Sequence, residues 1–303
     1  MGLPQPSSLF GAAALAASAT LWPAASAAYC RTSACPGDVP GELCAPATAE
    51  DCGTPLYWPQ PCFGFSVQRD ASTQIPWQTT DDIVRQAFDT WLAADCGAGQ
   101  GPAMRVDDLG PVTCAAREYN QDGGNANLIV FRDDAWPYAG QWSTLALTTV
   151  TYNLDTGEIY DADMELNSAN VHLTVSDTDV EFDLRSIVTH EAGHMLGLAH
   201  SAEEAATMGR QYLPGEITLR DLTADDVAGI CAAYAPAEPG SPRDPTRCDS
   251  TPRRGFQDFC GAAPVDEGCT LHAPAAGGRL ALAGLGAGIG WLVHRRCRRR
   301  RAA

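Results

Sequence analysis

Residues 190–212 read HEAGHMLGLAHSAEEAATMGRQY, and they hold three of the chain's six histidines. His190 and His194 are four residues apart, so on a helix their imidazoles share a face and can reach one ion. Zinc (Zn2+) suits nitrogen donors in tetrahedral geometry. A straight helix cannot bring a third donor to the same point. Gly197 lets the chain turn, because glycine tolerates positive φ, and His200 then comes under the metal. A water completes the four ligands, and Glu191, next to the first histidine, can take its proton. Any one of these histidines alone reads as an ordinary core residue. The full HExxHxxGxxH spacing is far harder to produce by accident.

Outward from this stretch, the pattern alternates between strands and helices. FGFSVQRD (63–70) has strand character. TTDDIVRQAFDTWLAA (79–94) reads as a helix, with Thr79 as its cap and Asp82 reaching back. Ile83, Ala87 and Trp91 make one face apolar, as a core stripe. NANLIVFRDD (125–134), TLALTTVTYN (144–153) and the strand after the turn in NLDTGEIYDADMELN (153–167) follow. Asp183 can cap a helix starting near Leu184, and Gly197 can end it in a left-handed conformation. Thr223 starts a last helix in DLTADDVAGICAAY (221–234). This order predicts an α+β fold, a sheet with helices packed on it.

The ends of the chain have a different character. Leu9–Trp22 is an apolar segment with small residues, followed by ASA and SAA, so residues 1–28 read as a secretory signal cut near Ala27 or Ala28. No basic residue precedes it, and a buried first helix is the alternative. The chain has twelve cysteines, five of them in residues 30–62, and no CxxC pair. That usage points to an oxidising compartment and disulfides rather than a cysteine zinc cluster. Residues 29–64 form a cysteine-rich extension and 65–235 the main domain. Residues 236–278 form a proline-rich linker with cysteines, and 279–303 an apolar segment with an arginine block. Cys96 and Cys114 flank a short glycine-rich loop and are candidate partners.

Leu280–Val293 is uncharged, and as a helix would span about 21 Å against a bilayer core of about 30 Å. The arginines that follow place it as an anchor with the bulk of the chain outside; a peripheral helix is the alternative. All 20 basic residues are arginine, against 37 acidic ones, for a net charge of −17. Such a surface repels nucleic acid and anionic membranes, although solubility alone accounts for most of it.

HEAGHMLGLAH resembles the zinc motif of the metzincin metallopeptidases, and Ser201 continues it as matrixins often do. Met208, eight residues after His200, is similar to the methionine turn of that group. The resemblance implies a hydrophobic floor under the zinc, not a ligand. Astacins and serralysins place a tyrosine two residues after this methionine, where Arg210 stands here. Matrixins place one four residues after it, where Tyr212 stands, and by resemblance Tyr212 lines the S1′ pocket. LALTTV resembles the edge strand that holds substrate, which implicates Leu145, Ala146, Leu147 and Thr148, with a core strand as the competing reading. The implied fold is the metzincin-like zincin fold: a twisted, mostly parallel sheet with an antiparallel edge strand, an active-site helix and a C-terminal helix.

Asp161, Asp163 and Glu165 alternate along one strand. The matching region of animal matrixins helps to bind calcium (Ca2+), so a structural calcium stays open there beside a solvated strand face. The three residues stay outside the metal prediction, and His172 stands alone. DCGTP, with Cys52, is an echo of the matrixin latency cysteine, but a structural disulfide is expected and no cysteine switch. Gly268-Cys269, the apolar run and RRCRRRR together resemble the sorting signal of myxobacterial surface proteins, which would make Cys269 an attachment point.

The leading expectation is a secreted or surface-tethered zinc endopeptidase. It would act on extracellular proteins or peptides through a zinc-bound water assisted by Glu191. It would have one catalytic zinc, no nucleic-acid partner, and membrane association through the C-terminal segment. A non-catalytic adhesion protein on the same scaffold and a zinc amidase for cell-wall peptides are the alternatives. An intact Glu191 argues against the first of these.

Overall fold

The computed structural model describes residues 29–34, 54–260, 269–271 and 292–297. The expected signal segment, Cys52 and most of the apolar run at 280–293 lie outside the described residues.

In chain order, β1 (Cys30–Arg31) and β2 (Cys62–Val67) precede α1 (Trp77–Leu92). Then come β3 (Arg105–Asp108), β4 (Asn127–Phe131), β5 (Ala146–Tyr152), β6 (Ile159–Leu166), β7 (Leu173–Thr174) and β8 (Phe182–Asp183). After these follow α2 (Leu184–Met195), β9 (Leu198–Ala199) and α3 (Ala224–Ala233), with β10 (Cys269–Leu271) and β11 (Leu292–Cys297) late in the chain. The main sheet runs β10-β11-β5-β6-β4-β2-β3. Strands β3, β2, β4 and β6 are mutually parallel, and β5 is antiparallel to β6. This is the expected mostly parallel sheet, with antiparallel pairings of β5 with β6 and of β10 with β11; β5 is an inner strand rather than the expected edge. The outer side of β5 pairs in parallel with β11 along Leu147–Thr151.

Every residue of β2 and β4 is buried. Parallel strands are covered on both faces, which is why LIVF (128–131) is a continuous apolar run. Along β6, Ala162, Met164 and Leu166 face the helices and join the core with Phe65, Phe88, Trp91, Ile187 and Val188. Helices α1 and α2 share this face, and the Trp91 indole donates to the Thr189 carbonyl at 2.7 Å.

Helix α1 starts at Trp77, before Thr79, and Thr79 does not cap it. Pro76 holds the N-cap with φ −59° and no side-chain cap bond. Its ring fixes the entry angle without needing an N–H partner. Asp183 does cap α2, accepting from the Ser186 N–H at 2.8 Å. Thr223 and Asp226 close a reciprocal capping box on α3.

Cys96 does not pair with Cys114. Cys96 is bonded to Cys231, Cys114 to Cys260 and Cys62 to Cys248. The loop after α1 turns toward α3, whereas Cys114 packs with Leu128 and Val130 in a cluster separate from the helix-side core. Residues 236–260 run back along the domain, held by two of these bridges. Arg105 donates to the carbonyls of Pro245 and Cys248, Thr113 N–H donates to that of Asp258, and the Arg253 guanidinium lies 4.0 Å from the Tyr160 ring centre.

Candidate metal centre

Helix α2 is buried along almost its whole length, including His190, Glu191 and His194. It ends where the sequence predicts. Gly197 takes φ +86°, and a Cβ there would lie 2.8 Å from the Leu56 carbonyl oxygen. The turn sends Leu198–Ala199 into a short antiparallel pair with β1 and brings His200 back to the helix. The three imidazoles converge, with ring centres 4.8, 5.3 and 4.8 Å apart. One ligand atom from each lies within 4.8 Å of the others. Among the described residues no other three ligand side chains of this kind come together.

The remaining ring nitrogens orient the donors. His190 Nδ1 lies 2.6 Å from the Thr207 carbonyl and His194 Nδ1 2.9 Å from that of Leu198. With Nδ1–H given to a carbonyl, Nε2 carries the lone pair a metal needs. Burial, and then His194, hold His190 well below the usual imidazole range. Burial, the other two histidines and the Arg210 charge do the same for His200. This keeps the His190 and His200 rings neutral, as metal ligation requires.

The site fits a zinc ion on its own atoms. His200 Nε2 and Glu191 Oε1 are buried polar atoms without a hydrogen-bond partner, and such atoms are costly unless something fills the space between them. A neutral three-imidazole donor set beside a carboxylate suits Zn2+. Burial pushes the Glu191 carboxyl up to about 8, against hydrogen bonding from Thr148.

Met208 packs against α2 at Gly193. A Cβ on Gly193, between the two helical histidines, would sit 2.3 Å from Met208 Sδ and 2.7 Å from Trp91 Cζ2. The methionine's backbone is held by Asp226, whose carboxylate accepts from the N–H groups of Thr207 and Met208 at 2.8 and 2.9 Å. Sequence reading placed Asp226 only at a helix start. Its second role, tying α3 to the turn that carries Met208, needs the fold.

Tyr212 is buried, and its hydroxyl bridges two backbone groups. It accepts from the Asp183 N–H at 2.8 Å and donates to the Glu216 carbonyl at 2.5 Å. It therefore ties the 209–216 loop to the start of α2. Leu145, Ala146, Leu147 and Thr148 are also buried. Their side chains point into the core, toward Trp136, or toward Glu191, so only their backbone could meet a peptide. Along Leu147–Thr151 that backbone is paired with β11.

The acidic strand face is not solvated. Glu165 takes hydrogen bonds from Arg132 and from the Tyr138 hydroxyl at 2.7 and 2.6 Å, with Arg117 3.5 Å away. Asp163 accepts from the N–H groups of Leu128 and Glu118 at 2.9 and 3.0 Å. With Glu165 committed to arginines and Asp163 to backbone donors, these two carboxylates have little left for a calcium ion, which asks for six to eight oxygens.

Residues 128–235 match the family model described as Matrixin. The chain is matrixin-like. It is 31% identical over 170 residues to Metalloendoproteinase 1-MMP of Arabidopsis thaliana, covering 54% of this chain and 41% of that protein. It is 38% identical over 80 residues to a neutrophil collagenase of Homo sapiens, covering 25% and 17% of the two chains. An interstitial collagenase of Sus scrofa is 39% identical over 75 residues, 23% and 15% of the two chains. The chain thus spans less than half the length of these curated relatives. The matched matrixin segment begins in β4 and ends after α3, so it contains every residue of the candidate centre.

Proposed function

We propose that the chain is a zinc-dependent endopeptidase. The convergence of His190, His194 and His200 on one point, beside the unpartnered Oε1 of Glu191, carries this reading. His190, His194 and His200 would hold the ion through the nitrogens that face one another. Zinc supplies Lewis acidity, which polarises a carbonyl and acidifies a water. Glu191 takes the proton of the attacking water and returns it to the leaving amine. The low-dielectric surroundings strengthen both transfers. The names of the relatives, an endoproteinase and two collagenases, support a protein substrate.

Export is part of the proposal. Three disulfides between distant segments support an oxidising compartment. The signal at 1–28 completes it; strand β11 pairs with β5, so tethering through 279–303 would require β11 to leave the sheet. Among the described residues no helix is long and apolar enough to cross a membrane, and the apolar run itself lies outside them.

The test is digestion of casein and of a peptide library by zinc-loaded protein, with and without a chelator. Cleavage that the chelator abolishes is the expected result. Glu191→Ala should keep its zinc and lose at least about a hundredfold in kcat; undiminished cleavage by that variant removes Glu191 from the chemistry.

A further inference from the structure

Thr148 is an oddity of strand β5. Its neighbours on the same face, Ala146 and Val150, are apolar members of the core. The alternate residues face the other way, with Leu147 against Trp136 and the Thr149 hydroxyl taking a hydrogen bond from Arg117. A valine or alanine would serve the core at 148 equally well. Instead a fully buried hydroxyl stands there, and it donates to Glu191 Oε2 at 2.5 Å, with the Glu191 carbonyl 3.4 Å away.

The contact is built for direction. A glutamate carboxylate rotates easily about its last torsion, because that torsion is broad and nearly two-fold. A β-branched side chain on a strand is stiff at χ1. Thr148 is pinned further by the pairing of β5 with β6, where it stands opposite Met164. One carboxylate oxygen is therefore held from the sheet, and the other, Oε1, has no partner. We propose that Thr148 is the positioning residue for Glu191: its hydroxyl occupies Oε2 and so leaves Oε1 to serve the water. The two groups come from separate elements, so the contact also fixes the spacing between α2 and the strand beside which a substrate would lie. The proposal rests on the zinc-peptidase reading of this site.

The experiment uses the full chain loaded with zinc. Thr148→Val should lower kcat on a fluorogenic peptide roughly tenfold, the value of one aligned hydrogen bond, with KM, zinc content and melting temperature nearly unchanged. Thr148→Ser keeps the hydroxyl and should restore most of kcat. A peptide hydroxamate gives a readout without turnover, since it chelates zinc and sets a polar hydrogen against the base. Its affinity should fall in Thr148→Val and hold in Thr148→Ser. Unchanged kcat and unchanged hydroxamate affinity in Thr148→Val overturn the proposal. So does a serine variant as impaired as the valine one. A wild-type chain that binds zinc and cleaves nothing defeats the peptidase reading alone, and the hydroxamate affinities then decide the fate of Thr148.

Discussion

Gly193 shows how closely a single residue is tied to the centre. It stands between His190 and His194, where a side chain would point into Met208 and Trp91. Gly193→Ala should therefore push Met208 away from the helix. Overpacking of this kind costs about 1–3 kcal/mol, and because the displaced atoms pack on the helix between His190 and His194, zinc affinity should fall with stability. Thermal unfolding and a zinc titration on the same variant check both effects; a variant with wild-type melting and zinc binding would show that Met208 moves aside freely. The ligands themselves were recoverable from spacing alone. His190, Glu191, His194, Gly197 and His200 are local, all within a helix and one turn. The orienting carbonyls of Thr207 and Leu198 were not, because a backbone acceptor has no signature in a sequence.

At the scale of elements, β6 carries two opposite faces. Ala162, Met164 and Leu166 enter the core beside α2, while Glu165 meets Arg117, Arg132 and Tyr138 and Asp163 meets the backbone N–H groups of Glu118 and Leu128. This second face holds the segments around 115–120 and 132–138 against the sheet, next to the strand that lines the site. Glu165→Gln leaves two arginines, each 18% exposed, without their counter-charge. Removing one partner of such a group costs about 3 kcal/mol, and chemical denaturation should register it. Added calcium should leave the melting temperature of the wild-type chain where it was, since Asp163 and Glu165, two of the carboxylates that would receive it, are occupied. A clear calcium-dependent rise would show that the ion displaces the arginines. The alternating acids were visible in the sequence. Their partners lie 27 to 48 residues away, and no periodicity links them.

At the scale of the molecule, the chain is closed by bridges spanning 135 to 186 residues. Two of them fasten 236–260 to the sheet edge. Replacing both Cys62 and Cys248 by serine should cost about 2–4 kcal/mol through the entropy of the unfolded chain, read as a lower melting temperature with zinc binding retained. Strand β11 has a different consequence. If an extended peptide pairs with β5, it must take the edge that β11 occupies, and tail and substrate then exclude each other. A chain ending at residue 264 should therefore show a severalfold lower KM for a peptide than the full chain, with kcat unchanged. Equal KM values would mean that β11 leaves β5 without cost.

The sequence by itself determined what depends on neighbours along the chain: the converging histidines and the glutamate beside them, the caps at Asp183 and Thr223, the turn at Gly197 and the apolar strands. These follow from periodicity and backbone freedom, which act over a few residues. Only the tertiary structure decided the disulfide partners, the burial of the acidic strand face, the second duty of Asp226 and the aim of the Thr148 hydroxyl at Glu191. Each of these joins groups that meet only when separate elements pack. The free energy that selects them comes from burial and charge pairing across the fold, and it leaves no local trace.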